Sequence, residues 1–306
     1  MPYTLQYRPV LIDTLISNAR IASYQTVFSP ANDMELMGAY LWNAHACGAL
    51  YPLMGAVEIT LRNAIDQTLS ASMGTFWWAG NRLRHRSYAT SAITPYEVQA
   101  AHDSFIKATR KHISEMRSRH RLRGHLKPSH AGVIGKTEFS TWVFLLDAEF
   151  MGRGLIWPRH LSTVLRGTWP VPQAAAVLGQ ARDLAETLRD FRNRLFHHEP
   201  AWKRYGVLTE ADAVRHLQEK IATAERLLAL IHPENLRLLQ VNGLLQSARR
   251  ACSTEEIRRF QHRTRVHRIR TLGQLATLAA RSNTENRALE ARIRRGRPQR
   301  FVVLPR

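Results

Sequence analysis

The chain has 306 residues, of which 44% are hydrophobic and 22% are charged, and its formal net charge at pH 7 is +20. This composition excludes an intrinsically disordered chain, and the length allows one large hydrophobic core or two smaller ones. The two cysteines, Cys47 and Cys252, lie far apart without a metal-ligand spacing, which argues against a disulfide framework and a structural zinc site.

The sequence also predicts a cytoplasmic protein without a membrane span. The most apolar region, residues 34–57, is interrupted by Asn43, His45, Gly48 and Pro52, so it is too short to cross a bilayer. The first residues lack the basic start and the apolar block of a signal peptide. The scarcity of cysteine fits the same reducing compartment.

Apolar residues recur mainly at helical spacing, and strand signals are sparse. In chain order, the periodic segments predict helices over about 12–19, 36–69, 105–122, 173–196, 209–231, 236–245 and 255–280. The second of these is expected to bend or split near Pro52 and to end at Gly74. Thr209 and Asp212 form a capping-box pattern at the start of the fifth helix, and Pro233 ends that helix.

These segments predict an all-α protein with three parts. Residues 1–33 form an N-terminal helix and loop, and residues 34–235 form the main helical domain. Residues 236–306 form an arginine-rich helical C-terminal extension whose end is expected to be mobile.

Positive charge is concentrated in two parts of the chain. Residues 249–306 contain sixteen arginines, no lysine and four acidic residues, a formal charge of +12. A second basic run between 107 and 127 forms a cationic ridge if it is helical. Such surfaces attract nucleic-acid phosphates, and an anionic membrane surface is the weaker alternative. The residues expected to contact RNA are Lys107, Arg110, Lys111, Arg117, Arg121, Arg258, Arg259, Arg263, Arg265, Arg268 and Arg270.

The segment 192–200 reads Arg-Asn-Arg-Leu-Phe-His-His-Glu-Pro and follows the apolar stripe of the predicted 173–196 helix. Arg192 supplies a permanent cation, and His197 supplies a group that exchanges protons near neutral pH. These are the two parts needed to cleave RNA without a metal ion. The arginine stabilises charge on the phosphorus, and the histidine protonates the leaving oxygen.

The spacing of the two side chains depends on the end of the helix. In an unbroken helix Arg192 and His197 would point about 140° apart. Pro200 disfavours helical geometry at Glu199, so the last turn is expected to loosen and to let His197 turn toward Arg192. The conservative interpretation is that Arg192 pairs with Asp190 or Glu199 and that a histidine caps the helix.

A polar stripe lies on an otherwise apolar predicted helix. Glu58, Arg62 and Asp66 recur at intervals of four residues, so they share one helix face. The stripe is either an exposed ladder of ion pairs or a shell that supports the Arg192 site.

The motif at 192–200 resembles the signature of Abi-like proteins (the AbiD/AbiF group), which belong to the HEPN superfamily of helical ribonucleases. The resemblance extends over roughly residues 18–235. The further segments that carry it are 40–43, 57–65, 74–77, 139–146, 157–158 and 230–233.

The resemblance implies a HEPN-type helical bundle with additional basic C-terminal helices. It implies a metal-independent endoribonuclease that needs no cofactor and leaves a 2′,3′-cyclic phosphate and a 5′-hydroxyl. Arg192 would stabilise the transition state, His197 would be the general acid or base, and Asn193 would orient the substrate. His198 matches the family's second histidine. The family implies a homodimer in which two motifs form a composite site.

The same resemblance implies an abortive-infection toxin that halts growth during phage attack under the control of a small structured non-coding RNA. One alternative is a catalytically silent HEPN protein that binds and scaffolds such an RNA. Another is a helical protein that binds DNA or a membrane surface through its arginine-rich C-terminal segment.

Overall fold

The computed structural model describes residues 16–80, 82–87, 93–119, 124, 126–293 and 299–306. Within these ranges the chain forms twelve α-helices and three short β-strands, which confirms the predicted predominance of helix. None of the helices in the described part combines the length and the apolar character needed to cross a membrane.

The helices and strands have the following bounds. The helices are α1 (Asn18–Phe28), α2 (Asp33–Met73), α3 (Tyr96–Ser118), α4 (His130–Ile134), α5 (Phe139–Phe144), α6 (Leu161–Val164), α7 (Ala174–Phe196), α8 (Glu210–Ile231), α9 (Pro233–Val241), α10 (Leu244–Ala251), α11 (Thr254–Phe260) and α12 (Leu272–Glu285). The strands are β1 (His267–Ile269), β2 (Leu289–Ile293) and β3 (Gln299–Val303).

The chain forms two compact units, each assembled from segments that are distant in sequence. The first unit contains Met1–Leu53, Asn193–Ala222 and Leu239–Arg306. The second contains Met54–Arg192 and Thr223–Leu238. The sequence predicted boundaries at residues 33 and 235 between domains that are each continuous in the chain. Those boundaries stay a prediction.

Helix α2 continues without interruption through Pro52, where the sequence predicted a bend or a split. Proline removes one helical hydrogen bond. The apolar stripe compensates, because Leu50, Leu53, Met54 and Val57 on both sides of the proline are almost completely buried. The helix ends at Met73, and Gly74 follows with a φ of 82°, as the sequence predicted.

The first unit has an aromatic core around Trp202. Tyr24 and Phe28 of α1 pack edge-on against this indole, each with ring centroids 5.1 Å apart. Trp42 of α2 is fully buried and donates its indole N–H to the carbonyl oxygen of Ala251 at 2.8 Å. Phe28 also meets Trp42 edge-on at 5.6 Å, so these contacts connect α1, α2 and α10.

The second unit has an aromatic core of its own. The ring of Trp78 stacks on Phe105 with centroids 4.5 Å apart, and Trp77 meets Phe105 edge-on at 5.3 Å. Trp142 of α5 lies edge-on to Phe105 at 6.1 Å. These rings hold α3 and α5 together beside the end of α2.

The C-terminal segment differs from the predicted basic helices. Strand β1 pairs with β2 in parallel, β2 pairs with β3 in antiparallel orientation, and α12 connects the first two strands. Ile269, Leu278, Leu289 and Ala291 form a hydrophobic core within this segment. The helical prediction over 255–280 was therefore wrong around β1. The strands are short and contain arginines, so their alternation of apolar and polar residues extends over few positions. The helical periodicity of the surrounding sequence is therefore the stronger pattern.

Candidate functional site

The motif lies at the end of α7, a helix that buries one face as predicted. Leu184, Leu188, Phe191 and Leu195 are all buried. The helix ends at Phe196, and His198 adopts a φ of 55°, in the left-handed region. The backbone N–H of His197 keeps the helical hydrogen bond to the Asn193 carbonyl at 3.0 Å, and the N–H of Glu199 bonds the Arg194 carbonyl at 3.1 Å. The predicted loosening at His197 was therefore wrong, because backbone hydrogen bonds close the helix end and the chain leaves the helix only at His198.

Arg192 is half-buried and pairs with Glu58 of α2. The Nε atom of Arg192 lies 3.5 Å from Oε2 of Glu58. Burial raises the pKa of Glu58, and the nearby charges of Arg192 and Arg62 lower it only in part. The Arg192 guanidinium is thus held by a carboxylate that burial has made costly to ionise.

The two acidic residues proposed from the sequence as partners of Arg192 pair with other arginines. Oδ1 of Asp190 lies 2.8 Å from Nη2 of Arg189, and Oε2 of Glu199 lies 3.6 Å from Nε of Arg194. Glu58, which is 134 positions before Arg192 in the chain, was predicted only as a supporting residue.

The other two residues of the predicted polar stripe have different neighbours. The Nε atom of Arg62 lies 3.2 Å from the side-chain oxygen of Asn63. Asp66 accepts hydrogen bonds from the indole of Trp77 at 2.9 Å and from Nε2 of His130 at 3.0 Å. Nδ1 of His130 accepts the backbone N–H of Phe76, so its Nε2 carries the proton donated to Asp66. Asp66 therefore stabilises the aromatic core.

The other candidate catalytic residues face solvent. Asn193, His197 and His198 are exposed. The guanidinium of Arg20 on α1 donates a hydrogen bond to the carbonyl oxygen of His198, which fixes the turn after the helix.

His198 also lines a cavity of about 560 Å³ in the first unit. Its other lining residues are Arg20, Tyr40, Asn43, Ala44, Cys47, Gly48, Tyr51 and Leu195. Sequence reasoning missed this cavity. The sequence contains one indication of it: polar, small and aromatic residues share one face of α2, at positions 40, 43, 44, 47, 48 and 51.

Several of the predicted RNA-contacting residues form ion pairs. Arg258, Arg259 and Arg263 pair with Glu210, Glu256 and Glu35, so their charges are partly neutralised. Lys107, Arg110, Lys111 and Arg117 are exposed on α3, where Lys107 pairs with Glu138 at 2.7 Å. Arg121 lies outside the described residues.

The remaining predicted RNA contacts lie on or beside β1. Arg265, Arg268 and Arg270 are exposed, and within the described residues no ion pair involves them. Arg265 and Arg268 line a groove of about 760 Å³ with Arg281 and the N-terminal half of α12. His267 lies in the same groove, and its pKa is lowered by burial and by the charges of three arginines, Arg281, Arg265 and Arg287. We call this feature the β1–α12 groove.

No family model, no curated protein and no solved structure matches the chain. The resemblance to Abi-like proteins therefore rests on the sequence motifs alone.

Proposed function

We propose that this protein is a metal-independent endoribonuclease of the Abi-like type that acts as an abortive-infection toxin. The main observation in favour of this proposal is the arrangement of the Arg192 and His197 side chains at the end of α7. Arg192 is held by the half-buried Glu58, and His197 is exposed in the turn that directly follows the helix.

Each motif side chain has a defined role in the proposed reaction. The substrate's 2′-hydroxyl attacks the adjacent phosphorus, the bond to the 5′-oxygen breaks, and a 2′,3′-cyclic phosphate forms. Arg192 neutralises the charge that accumulates on the phosphate oxygens. His197 donates the proton that the departing 5′-oxygen needs, and a base removes the proton of the 2′-hydroxyl. Asn193 orients the phosphate, and His198 is the second histidine of the motif.

Positively charged surfaces would attract the RNA. The exposed cations of α3 and the β1–α12 groove offer phosphate contacts on the second and the first unit, respectively. A small structured non-coding RNA is the proposed controlling partner, and a homodimer would bring two motifs together.

The test is RNA cleavage in buffer that contains EDTA. We expect Arg192→Ala and His197→Ala to reduce the cleavage rate at least a hundredfold, because each removes a group that acts in the transition state. Arg159→Ala and His160→Ala are matched controls, since they remove the same two residue types from the loop before α6. Wild-type cleavage by the two motif variants would reject the ribonuclease.

An RNA-binding protein without activity is the second candidate. It is favoured by Arg265 and Arg268 of the β1–α12 groove, which form no ion pair within the described part of the chain. In that case wild-type protein would copurify with one defined RNA and would not cleave RNA. Arg192→Ala and His197→Ala would leave RNA binding unchanged. A heterogeneous mixture of bound fragments would contradict a dedicated RNA partner.

A further inference from the structure

The cavity beside His198 combines features that suit a planar, polar ligand. Its volume of about 560 Å³ lies within the range of small-molecule sites, roughly 300–1,000 Å³. It lies wholly within the first unit, and α2 contributes most of its wall.

An exposed aromatic pair stands at the rim of this cavity. Tyr51 and Phe196 have their ring centroids 4.8 Å apart with a 35° angle between the planes. Tyr51 is 54% exposed and Phe196 is 41% exposed, although each is a large apolar ring that burial would favour. Exposed rings of this kind are the surfaces on which the bases of single-stranded nucleic acids stack.

Asn43 supplies an oriented hydrogen-bond donor in the wall. The side-chain oxygen of Asn43 accepts the backbone N–H of Ala201 at 2.9 Å, which fixes the orientation of its amide. Its NH₂ group makes no hydrogen bond within the described residues, although the residue is only 7% exposed. A fixed amide donor in a cavity wall recognises a carbonyl oxygen or a ring nitrogen.

Gly48 supplies both space and an acceptor. A Cβ atom added at Gly48 would meet no atom within 4 Å outside its own turn of the helix. Residue 52, which would normally donate a helical hydrogen bond to the Gly48 carbonyl, is a proline and has no N–H. A glycine inside a helix also weakens that helix relative to alanine. Its place in the cavity wall gives a ligand close access to the backbone.

Cys47 does not make the cavity a reactive site. Burial raises the pKa of the Cys47 thiol to about 11, so the thiolate needed for nucleophilic attack is scarce at neutral pH. The lining therefore suits binding by stacking and hydrogen bonding, without covalent chemistry at the cysteine.

We infer that this cavity binds one nucleobase of the RNA that occupies the motif. The base stacks on Tyr51 beside Phe196, receives a hydrogen bond from Asn43 and approaches the helix backbone at Gly48. Arg20 and His198 stand at the same cavity, where they can contact the phosphate of that nucleotide. This inference rests on the proposed function for its substrate, RNA, and adds a site that selects a base.

The experiment measures binding rather than cleavage. Fluorescent 2′-fluoro RNA lacks the attacking hydroxyl, and its dissociation constant is measured with one abasic nucleotide placed at each position in turn. At one position, loss of the base is expected to weaken wild-type binding roughly five- to a hundredfold, the range typical of one stacked base. Tyr51→Ala should weaken binding of the intact RNA by a similar factor and abolish the effect of that abasic site. Tyr51→Phe, which keeps the ring, should bind like wild type.

Gly48→Ala is the steric test, and Gly55→Ala in the same helix is its matched control. Neither added methyl group would meet an atom within 4 Å outside its own turn of the helix, so both variants should fold. Gly48→Ala should weaken RNA binding severalfold, and Gly55→Ala should not. Equal binding by the two variants would overturn the inference. Additive losses for Tyr51→Ala and the abasic site would also overturn it.

Two further results distinguish the base site from the ribonuclease activity. One outcome is that the motif variants cleave RNA like wild type while Tyr51→Ala abolishes the effect of the abasic site on RNA affinity. That result would reject the proposed ribonuclease activity and support the base site. If cleavage depends on the motif but Tyr51→Ala leaves the effect of the abasic site intact, the base site alone fails. A third outcome is that Gly48→Ala weakens the binding of free nucleoside monophosphates and leaves RNA binding unchanged. The ligand of the cavity would then be a free nucleotide and not a base of RNA.

Discussion

Glu58 is a half-buried carboxylate with Arg192 at 3.5 Å, and its pKa is raised mainly by burial. Because the folded-state pKa lies above that of the unfolded chain, protonated Glu58 favours folding, and this contribution is lost as the pH rises through the folded-state pKa. We therefore expect Glu58→Gln to raise the melting temperature at pH 7. The gain should vanish at acid pH, where Glu58 is itself protonated.

The same substitution should impair the proposed reaction. Without the carboxylate, Arg192 loses its ion pair with Glu58, and a displacement of about 1 Å can cost roughly a hundredfold in rate. Thermal denaturation and cleavage assays on Glu58→Gln are thus expected to move in opposite directions. A lower melting temperature at pH 7 would show that the ion pair with Arg192 outweighs the cost of burial.

His216 of α8 gives the first unit a defined sensitivity to acid. Burial, with the charges of Lys220, Arg204 and Arg194, lowers the pKa of His216 to about 4. A depressed folded-state pKa means that the stabilising contribution is present above the unfolded value, about 6.5, and is lost as the pH falls toward 4. His216→Gln should therefore flatten the decline of stability between pH 6.5 and 4, as measured by urea unfolding. If the stability of His216→Gln declines as steeply as that of the wild type, other titrating residues cause the decline.

At the scale of helices, the sequence predicts what depends on local pattern and misses what depends on tertiary contact. The capping box at Thr209 forms as predicted, with the Thr209 hydroxyl accepting the backbone N–H of Asp212 at 3.2 Å and the Asp212 carboxylate accepting that of Thr209 at 3.1 Å. The pairing of Glu58 with Arg192 joins α2 to α7. No periodicity within either helix specifies it.

Helix α2 also contains glycines whose replacement should have opposite effects on stability. A Cβ atom at Gly38 would lie 2.5 Å from the carbonyl oxygen of Phe260, so α2 packs directly on the backbone at the end of α11. Gly38→Ala is expected to destabilise the protein by about 1–3 kcal/mol, the usual cost of overpacking. Gly55→Ala has open space and should stabilise it by roughly 0.5–1 kcal/mol. Chemical denaturation measures both. A neutral Gly38→Ala would show that α11 moves away easily.

At the scale of the whole molecule, the net charge of +20 is distributed unequally between paired and unpaired cations. Arg258, Arg259 and Arg263 are near acidic residues, whereas Arg265 and Arg268 line the β1–α12 groove without an ion pair among the described residues. Composition alone gave all five the same weight as RNA contacts. The structure supplies a physical reason to rank the last two first, because they need not break an ion pair to bind phosphate.

Salt dependence of RNA binding tests this ranking. Each phosphate contact with a single strand contributes about −0.7 to the slope of log K against log salt concentration. The double variant Arg265→Ala/Arg268→Ala should therefore weaken RNA binding and reduce the magnitude of the slope by roughly 1.4. The control Arg153→Ala/Arg159→Ala removes the same charge from exposed positions of the second unit and should leave the slope nearly unchanged. Equal slopes for the two double variants would mean that RNA senses the overall charge of the protein, without a preferred groove.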